Sequence, residues 1–121
     1  MAVIKAFECI RPDEKVADRV AALPYDVYNR EEALKEVERE PLSFLAIDRA
    51  ETQFDSSVDT YADCVYDKAR ELLDSRIADG TFITDTDKAY YVYELTMNGR
   101  TQTGIAACAS IDDYNNNIIK K

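Results

Sequence analysis

The polar residues best suited to chemistry in this sequence stand beside rigid or apolar segments. Arg11 lies between an apolar run and a proline, and Tyr25 with Asp26 directly follows another proline. A guanidinium suits recognition of a phosphate or carboxylate, and an aspartate in a proline-stiffened turn can serve as acid, base or cation ligand. The predicted ligand-binding residues are Arg11, Tyr25, Asp26, Arg49 and Glu51. The alternative interpretation is an Arg–Asp pair that pins the turn to the sheet.

The chain holds no complete catalytic constellation. It contains no histidine, so neither a Ser-His-Asp nor a Cys-His site can form from its own residues. Its 3 glycines are too few and too scattered for a P-loop or a dinucleotide fingerprint. We therefore predict that the chain alone is inactive, and the reaction, the substrate and the cofactor stay open.

The charge balance excludes two classes of partner. The sequence has 15 basic and 24 acidic residues, a formal charge of -9, and such a field repels nucleic acid and anionic lipid surfaces. The Asp85-Thr86-Asp87 tract resembles the start of a calcium loop, but Tyr90 and Thr96 stand where that loop needs Gly and Glu. We predict no nucleic-acid partner and no metal site, and an acidic metal-binding module remains an alternative hypothesis.

The cysteines and the apolar runs indicate the compartment. Cys9, Cys64 and Cys108 form no Cys-x-x-Cys pair and cannot close a full disulfide framework, which fits a reducing compartment. Each has apolar neighbours, so we predict that they are small buried hydrophobes. No apolar run approaches the ~20 residues of a membrane span, and the start of the chain does not resemble a signal peptide. We predict a cytoplasmic protein with no membrane partner.

The apolar periodicity predicts one α+β domain over residues 1–121. A short helix should follow Asp13, and a second should run from a capping box at Asn29 and Glu32 to about residue 40. The longest apolar stripe at helical spacing predicts a helix over 57–79. One mixed or antiparallel sheet should carry these roughly three helices. Its predicted strands are 3–10, 43–48, 81–83, 89–97 and 100–109.

The Asn98-Gly99 dipeptide between two strand-like runs predicts a β-hairpin with a two-residue turn. The turn fixes the cross-strand pairs, which are Met97 with Arg100, Tyr93 with Gly104 and Val92 with Ile105. A tyrosine should then cover the bare backbone of a glycine.

The last residues predict a helix that is interrupted by the end of the chain. Ser110 and Asp113 form a helix start, and Ile118 and Ile119 continue its apolar side next to the terminus. We therefore expect the amino-terminal piece of a longer protein, cut just inside a helix. An ordinary short C-terminal helix is the alternative.

Motifs in order along the whole chain resemble one prokaryotic family. They are Ala2-Val3-Ile4-Lys5, Ile10-Arg11-Pro12, Leu23-Pro24-Tyr25-Asp26-Val27, Arg30-Glu31-Glu32-Ala33, Ser43-Phe44-Leu45, Asp48-Arg49-Ala50-Glu51, Met97-Asn98-Gly99-Arg100, Gln102-Thr103-Gly104 and Ser110-Ile111-Asp112-Asp113-Tyr114. This set is similar to the start of the domain of unknown function 1015 family. The chain departs from the family pattern at Ala6 and Ala50, where prolines are usual or frequent.

The resemblance implies a protein several times longer, whose downstream half carries a histidine-rich segment similar to the ParB and free-serine-kinase superfamily. Arg11, Tyr25 and Asp26 would then contribute to a phosphotransferase site shared with residues outside this sequence. Under this hypothesis the chain is a ligand- or substrate-binding part of a larger enzyme. The competing hypothesis is a non-catalytic structural or interaction domain, whose partners are the remainder of its own protein or further copies of itself.

Overall fold

The computed structural model describes residues 1–120 and confirms the α+β class. Two 3-10 turns, at Tyr25–Val27 and Ala50–Gln53, connect its regular elements. The helices are α1 (Ala17–Val20), α2 (Arg30–Arg39), α3 (Leu45–Asp48), α4 (Asp63–Ala78) and α5 (Ile111–Asn115). The strands are β1 (Ile4–Lys5), β2 (Ile10–Pro12), β3 (Phe82–Thr84), β4 (Tyr91–Met97), β5 (Arg100–Ala106) and β6 (Cys108–Ala109).

The chain divides into two compact units. The helical unit is Arg11–Ile83, and the hairpin unit combines Met1–Ile10 with the chain from Thr84 onward. In the described part of the chain, every fully buried side chain belongs to the helical unit. The apolar core of the chain therefore lies among α2, α3 and α4.

Helix α2 begins at the predicted capping box. The Asn29 side chain accepts from the backbone of Glu32 at 2.9 Å, and Glu32 Oε2 accepts from the Asn29 backbone at 2.9 Å. These two bonds satisfy donors that the first helical turn leaves without partners. The helix then buries Ala33 and Val37 against α3.

The predicted strand over 43–48 is wrong, because this segment forms a short helix. Phe44 N donates to Val20 O at 2.8 Å, and the chain then turns into α3. Leu45 and Ala46 are buried in the core beside Val37. A short apolar run buried on every side has no periodicity that separates a strand from a helical turn.

Two helices begin later than predicted, because aspartates form local turns before them. Asp13 Oδ1 accepts from Lys15 N at 2.9 Å, and α1 begins only at Ala17. Asp55 and Asp59 accept in the same way from the residues two positions on, and α4 begins at Asp63. Side-chain turns of this type compete with helical hydrogen bonds.

The hairpin of β4 and β5 has the predicted register. Met97 pairs with Arg100, and Tyr93 pairs with Gly104. Asn98 and Gly99 have φ values of 51° and 76°, as a two-residue turn with both central residues left-handed requires. The single predicted sheet is wrong, however, because the strands form separate two-stranded ladders, β1 with β6, β2 with β3 and β4 with β5.

Two further expectations for the chain are corrected. Ser110 caps α5 through a 3.2 Å bond from Asp113 N, but α5 ends at Asn115 and Asn117 takes a left-handed φ of 58°. The described helix therefore stops before Ile118 and Ile119, and the expected interrupted helix is not observed. The cysteines are not fully buried, since Cys64 and Cys108 are exposed and Cys9 is half-buried. Across residues 1–120, no helix has both the length and the apolar composition to cross a bilayer.

Candidate functional site

The helical unit contains an open cleft that brings together four of the five predicted site residues. Its volume is about 450 Å³. Tyr25 and Asp26 enter it from the first 3-10 turn, and Arg49 and Glu51 enter it from the segment after α3. We call it the tyrosine cleft; its polar lining also includes Asp48, Thr60, Tyr61 and Tyr66.

A buried ion pair forms one wall of the tyrosine cleft. Arg49 Nε lies 2.5 Å from Glu51 Oε1, and the side chains are 16% and 2% exposed. The guanidinium also donates from Nη1 to Tyr25 O at 3.2 Å and to Tyr28 O at 2.7 Å. These two carbonyls bracket the turn that carries Tyr25 and Asp26. Arg49 thus holds that turn against the segment after α3 through its Nε and Nη1 atoms.

Asp48 is the acidic residue of the cleft that the sequence reading missed. It is the last residue of α3, and the residue as a whole is more than one third exposed. Partial burial of its carboxyl group nevertheless raises the pKa of Asp48 above its ordinary value. Among residues 1–120 no cation offsets this desolvation, so a positively charged group near Asp48 would relieve it.

The opposite side of the cleft carries aromatic residues at the start of α4. Tyr61 precedes the helix and Tyr66 lies in its first turns, and both are largely exposed. Val65 between them is buried and fixes the helix against the unit. The two tyrosines therefore stand on the solvent side of a well-anchored helix start.

The loop that leads to Tyr61 is also held in place. Arg30 donates from Nη1 to Val58 O at 3.0 Å and from Nη2 to Asp55 O at 3.1 Å. A guanidinium with its donors on backbone carbonyls orders a loop that has no regular structure of its own. The cleft is thus built from the Tyr25–Val27 turn, the end of α3 with the segment after it, the loop before α4 and the first turns of α4.

Arg11 does not line the tyrosine cleft. It is half-buried in the middle of β2, apart from the lining residues. The predicted grouping of Arg11 with Tyr25 and Asp26 is therefore not observed around this cleft. The alternative interpretation, an Arg–Asp pair between Arg11 and Asp26, is not observed among the described residues either. An arginine does hold the turn of Tyr25 and Asp26, but it is Arg49, and its acidic partner is Glu51.

The sequence carried a weak signal for the residues that were missed. Asp48 ends an apolar run, and a carboxylate at such a position often faces an edge of the fold. The helix predicted over 57–79 would include Tyr61 in its apolar stripe, where the side chain would be covered. Since α4 begins two residues later, at Asp63, the ring is instead exposed beside the cleft.

The cleft offers carboxylates, phenol rings and one engaged guanidinium. Over residues 1–120, no group of three or more His, Cys, Asp or Glu side chains is placed to hold a metal ion. The chemistry that this lining supports is recognition through charge, hydrogen bonds and aromatic contact.

The model of a family described as "Protein of unknown function (DUF1015)" matches residues 4–121. No curated protein matches the chain. No solved structure matches it either.

Proposed function

The chain belongs to the DUF1015 family, and on that premise we propose that its helical unit is a ligand-binding domain whose site is the tyrosine cleft. The observation that carries this proposal is the convergence of Tyr25, Asp26 and Asp48 on one open cleft. Ligand pockets in proteins commonly span roughly 300–1,000 Å³ and combine apolar walls with a few convergent polar groups. Under this proposal the chain binds and positions a ligand. The family resemblance implies that it does so as part of a longer, cytoplasmic protein.

The buried Arg49–Glu51 pair supports a pre-formed site. A buried ion pair contributes little net stability compared with apolar residues of similar size, and we propose that this pair serves instead to fix one geometry. In this unit it fixes the turn that carries Tyr25 and Asp26. Binding to a pre-formed site loses less conformational entropy than binding that must order a loop.

Saturation-transfer NMR tests the proposal, using a mixture of cationic, neutral and anionic small molecules. Ala69 lines the cleft, and Ala69→Phe should block it, whereas Ala78→Phe places the same ring at the exposed end of α4. We expect some compounds to bind the wild type and the Ala78→Phe variant but not the Ala69→Phe variant. Tyr66→Ala gives a second test that adds no bulk. If no compound is lost on either cleft substitution, the proposal is wrong.

A second function, self-association through the hairpin unit, is favoured by one observation. Both faces of β4 and β5 expose large apolar side chains, with Val92, Met97 and Ile105 each about three quarters exposed. Isolated two-stranded hairpins are marginally stable in water. The expected partner is a second copy of the chain. Light scattering at rising protein concentration should detect a dimer, and high salt should favour it because salt screens the net charge of -9. The double variant Val92→Thr/Ile105→Thr should weaken this dimer. A strict monomer throughout would exclude this function.

A further inference from the structure

We infer that the tyrosine cleft takes a small organic ammonium ion, an inference that rests on the ligand-binding function proposed above. Three properties of the described cleft support this class of ligand: its uncompensated carboxylates, its exposed phenol rings and its size. Each is independent of the family resemblance.

The charges of the cleft favour a cation. Asp26, Asp48 and Glu51 line it with a single guanidinium, and that guanidinium is bound to Glu51 and to two backbone carbonyls. Within residues 1–120, the side chains of Asp26 and Asp48 form neither a hydrogen bond nor an ion pair. Two carboxylates thus remain for the ligand, whereas the one guanidinium is already paired with Glu51, so the charges of the lining attract a cation more than an anion.

The aromatic lining favours an organic cation over a metal ion. Tyr25, Tyr61 and Tyr66 each expose more than half of their surface beside the carboxylates. The face of a phenol ring attracts an ammonium group and packs against its alkyl substituents. Calcium and magnesium instead need several oxygen ligands around one point, and no group of three acidic side chains is so placed in the described residues.

The size of the cleft sets the scale of the ligand. A volume of about 450 Å³ accommodates a small amine with its alkyl or aryl substituents. Binding should also change the titration of Asp48. Burial raises the pKa of this carboxyl, and a bound ammonium group should lower it again because it favours the ionised form. The other titratable groups in the lining are Tyr25, Asp26, Arg49, Glu51, Tyr61 and Tyr66.

Matched pairs of probes separate charge from shape. Choline carries a positive nitrogen where 3,3-dimethyl-1-butanol has a neutral carbon, and the two are otherwise of similar shape. Benzylamine and benzyl alcohol give the same comparison for a primary amine. We expect titration NMR on the full chain to show at least about tenfold tighter binding of one ammonium probe than of its neutral partner, by the joint action of carboxylate attraction and cation–π contact. Benzoate and 3,3-dimethylbutyrate should not bind.

Single substitutions of the lining residues test whether the ammonium probe binds in the tyrosine cleft. Asp26→Asn and Asp48→Asn should each weaken the ammonium probe several-fold and leave the neutral probe unchanged, and Tyr66→Leu should weaken it as well. Glu94→Gln, on the exposed hairpin, removes a carboxylate outside the cleft and should change nothing. Equal binding of charged and neutral partners, or no response to either Asn substitution, overturns the inference.

The outcomes distinguish this inference from the function on which it rests. Neutral or anionic compounds that bind and are lost in Ala69→Phe would overturn the ammonium inference and leave the ligand-binding function intact. If no compound of any charge binds in the cleft, both fail.

Discussion

Removing the charge of Arg49 should destabilise the helical unit strongly. Arg49→Met keeps the aliphatic stem but leaves Glu51, whose side chain is 2% exposed, without its cation. Removing one partner of a buried ion pair typically costs about 3–5 kcal/mol. The lost bonds to Tyr25 O and Tyr28 O are part of this cost. With a urea slope of about 2 kcal/mol per M for a protein of this size, the unfolding midpoint should fall by roughly 2 M.

The assay is urea unfolding followed by far-ultraviolet circular dichroism and by the fluorescence of the chain's 8 tyrosines, since it has no tryptophan. Arg70→Met is the matched control, because the Arg70–Asp74 pair is 3.6 Å apart and its side chains are 84% and 65% exposed. Exposed pairs contribute about 0–1 kcal/mol, so this midpoint should barely move.

The double variant Arg49→Met/Glu51→Leu separates the buried charge from the lost hydrogen bonds. It should regain part of the stability, because no charge is then left buried without a partner. The reasoning is refuted if Arg49→Met costs no more than Arg70→Met, or if the double variant is no more stable than Arg49→Met.

Substitutions of Asp48, Asn29 and Arg76 test other parts of the structure. Burial raises the pKa of Asp48 in the folded chain. The free energy of unfolding should therefore fall as the pH rises from the unfolded pKa to the folded pKa of this carboxyl, because the ionised form is less stable in the folded chain. Asp48→Asn should therefore be more stable than the wild type near pH 7 and lose that advantage below about pH 3.9, the unfolded value; urea midpoints that differ equally at all pH values would contradict this. Asn29→Ala removes the cap of α2 and should cost about 1 kcal/mol, whereas Asn116→Ala in the hairpin unit should cost nothing measurable. Arg76, 5% exposed, donates to Pro41 O at 2.7 Å and to Ser43 O at 3.3 Å, so Arg76→Met should cost about 2–3 kcal/mol in the same assay; a loss no larger than that of Arg70→Met would contradict a stabilising role for these two bonds.

The elements that were predicted well have local causes. The hairpin register follows from the turn alone, since Asn98 and Gly99 accept left-handed backbone and fix every pair beyond them. The start of α2 follows from side chains three residues apart. In both cases the deciding interactions lie within a few residues in the sequence.

The elements that were predicted wrongly depend on distant contacts. The 43–48 segment is helical because Leu45 and Ala46 must fill a core formed with α2, which its own residues do not specify. The ladders stay separate because pairing among distant strands is set by tertiary packing. Local alternation cannot identify the neighbour of a strand.

Four of the five predicted residues line the cleft, but the sequence does not give their contacts. Tyr25 and Asp26 line it from a short turn that follows a proline. Arg49 is a predicted ligand-binding residue, and its Nε and Nη1 atoms donate to Glu51 and to backbone carbonyls far away in sequence. The positions of Asp48 and Tyr66 at the cleft depend on where α3 ends and where α4 begins, and the sequence does not predict these two helix ends.

The most direct test of the ligand-binding site is a map of amide chemical shifts on titration with choline and with any compound selected in the saturation-transfer screen. We expect the shifts to concentrate on residues 25–26, 48–51 and 60–69, and to vanish in the Ala69→Phe variant. Shifts confined to the hairpin unit, or none at millimolar concentrations, would contradict the tyrosine cleft as the binding site.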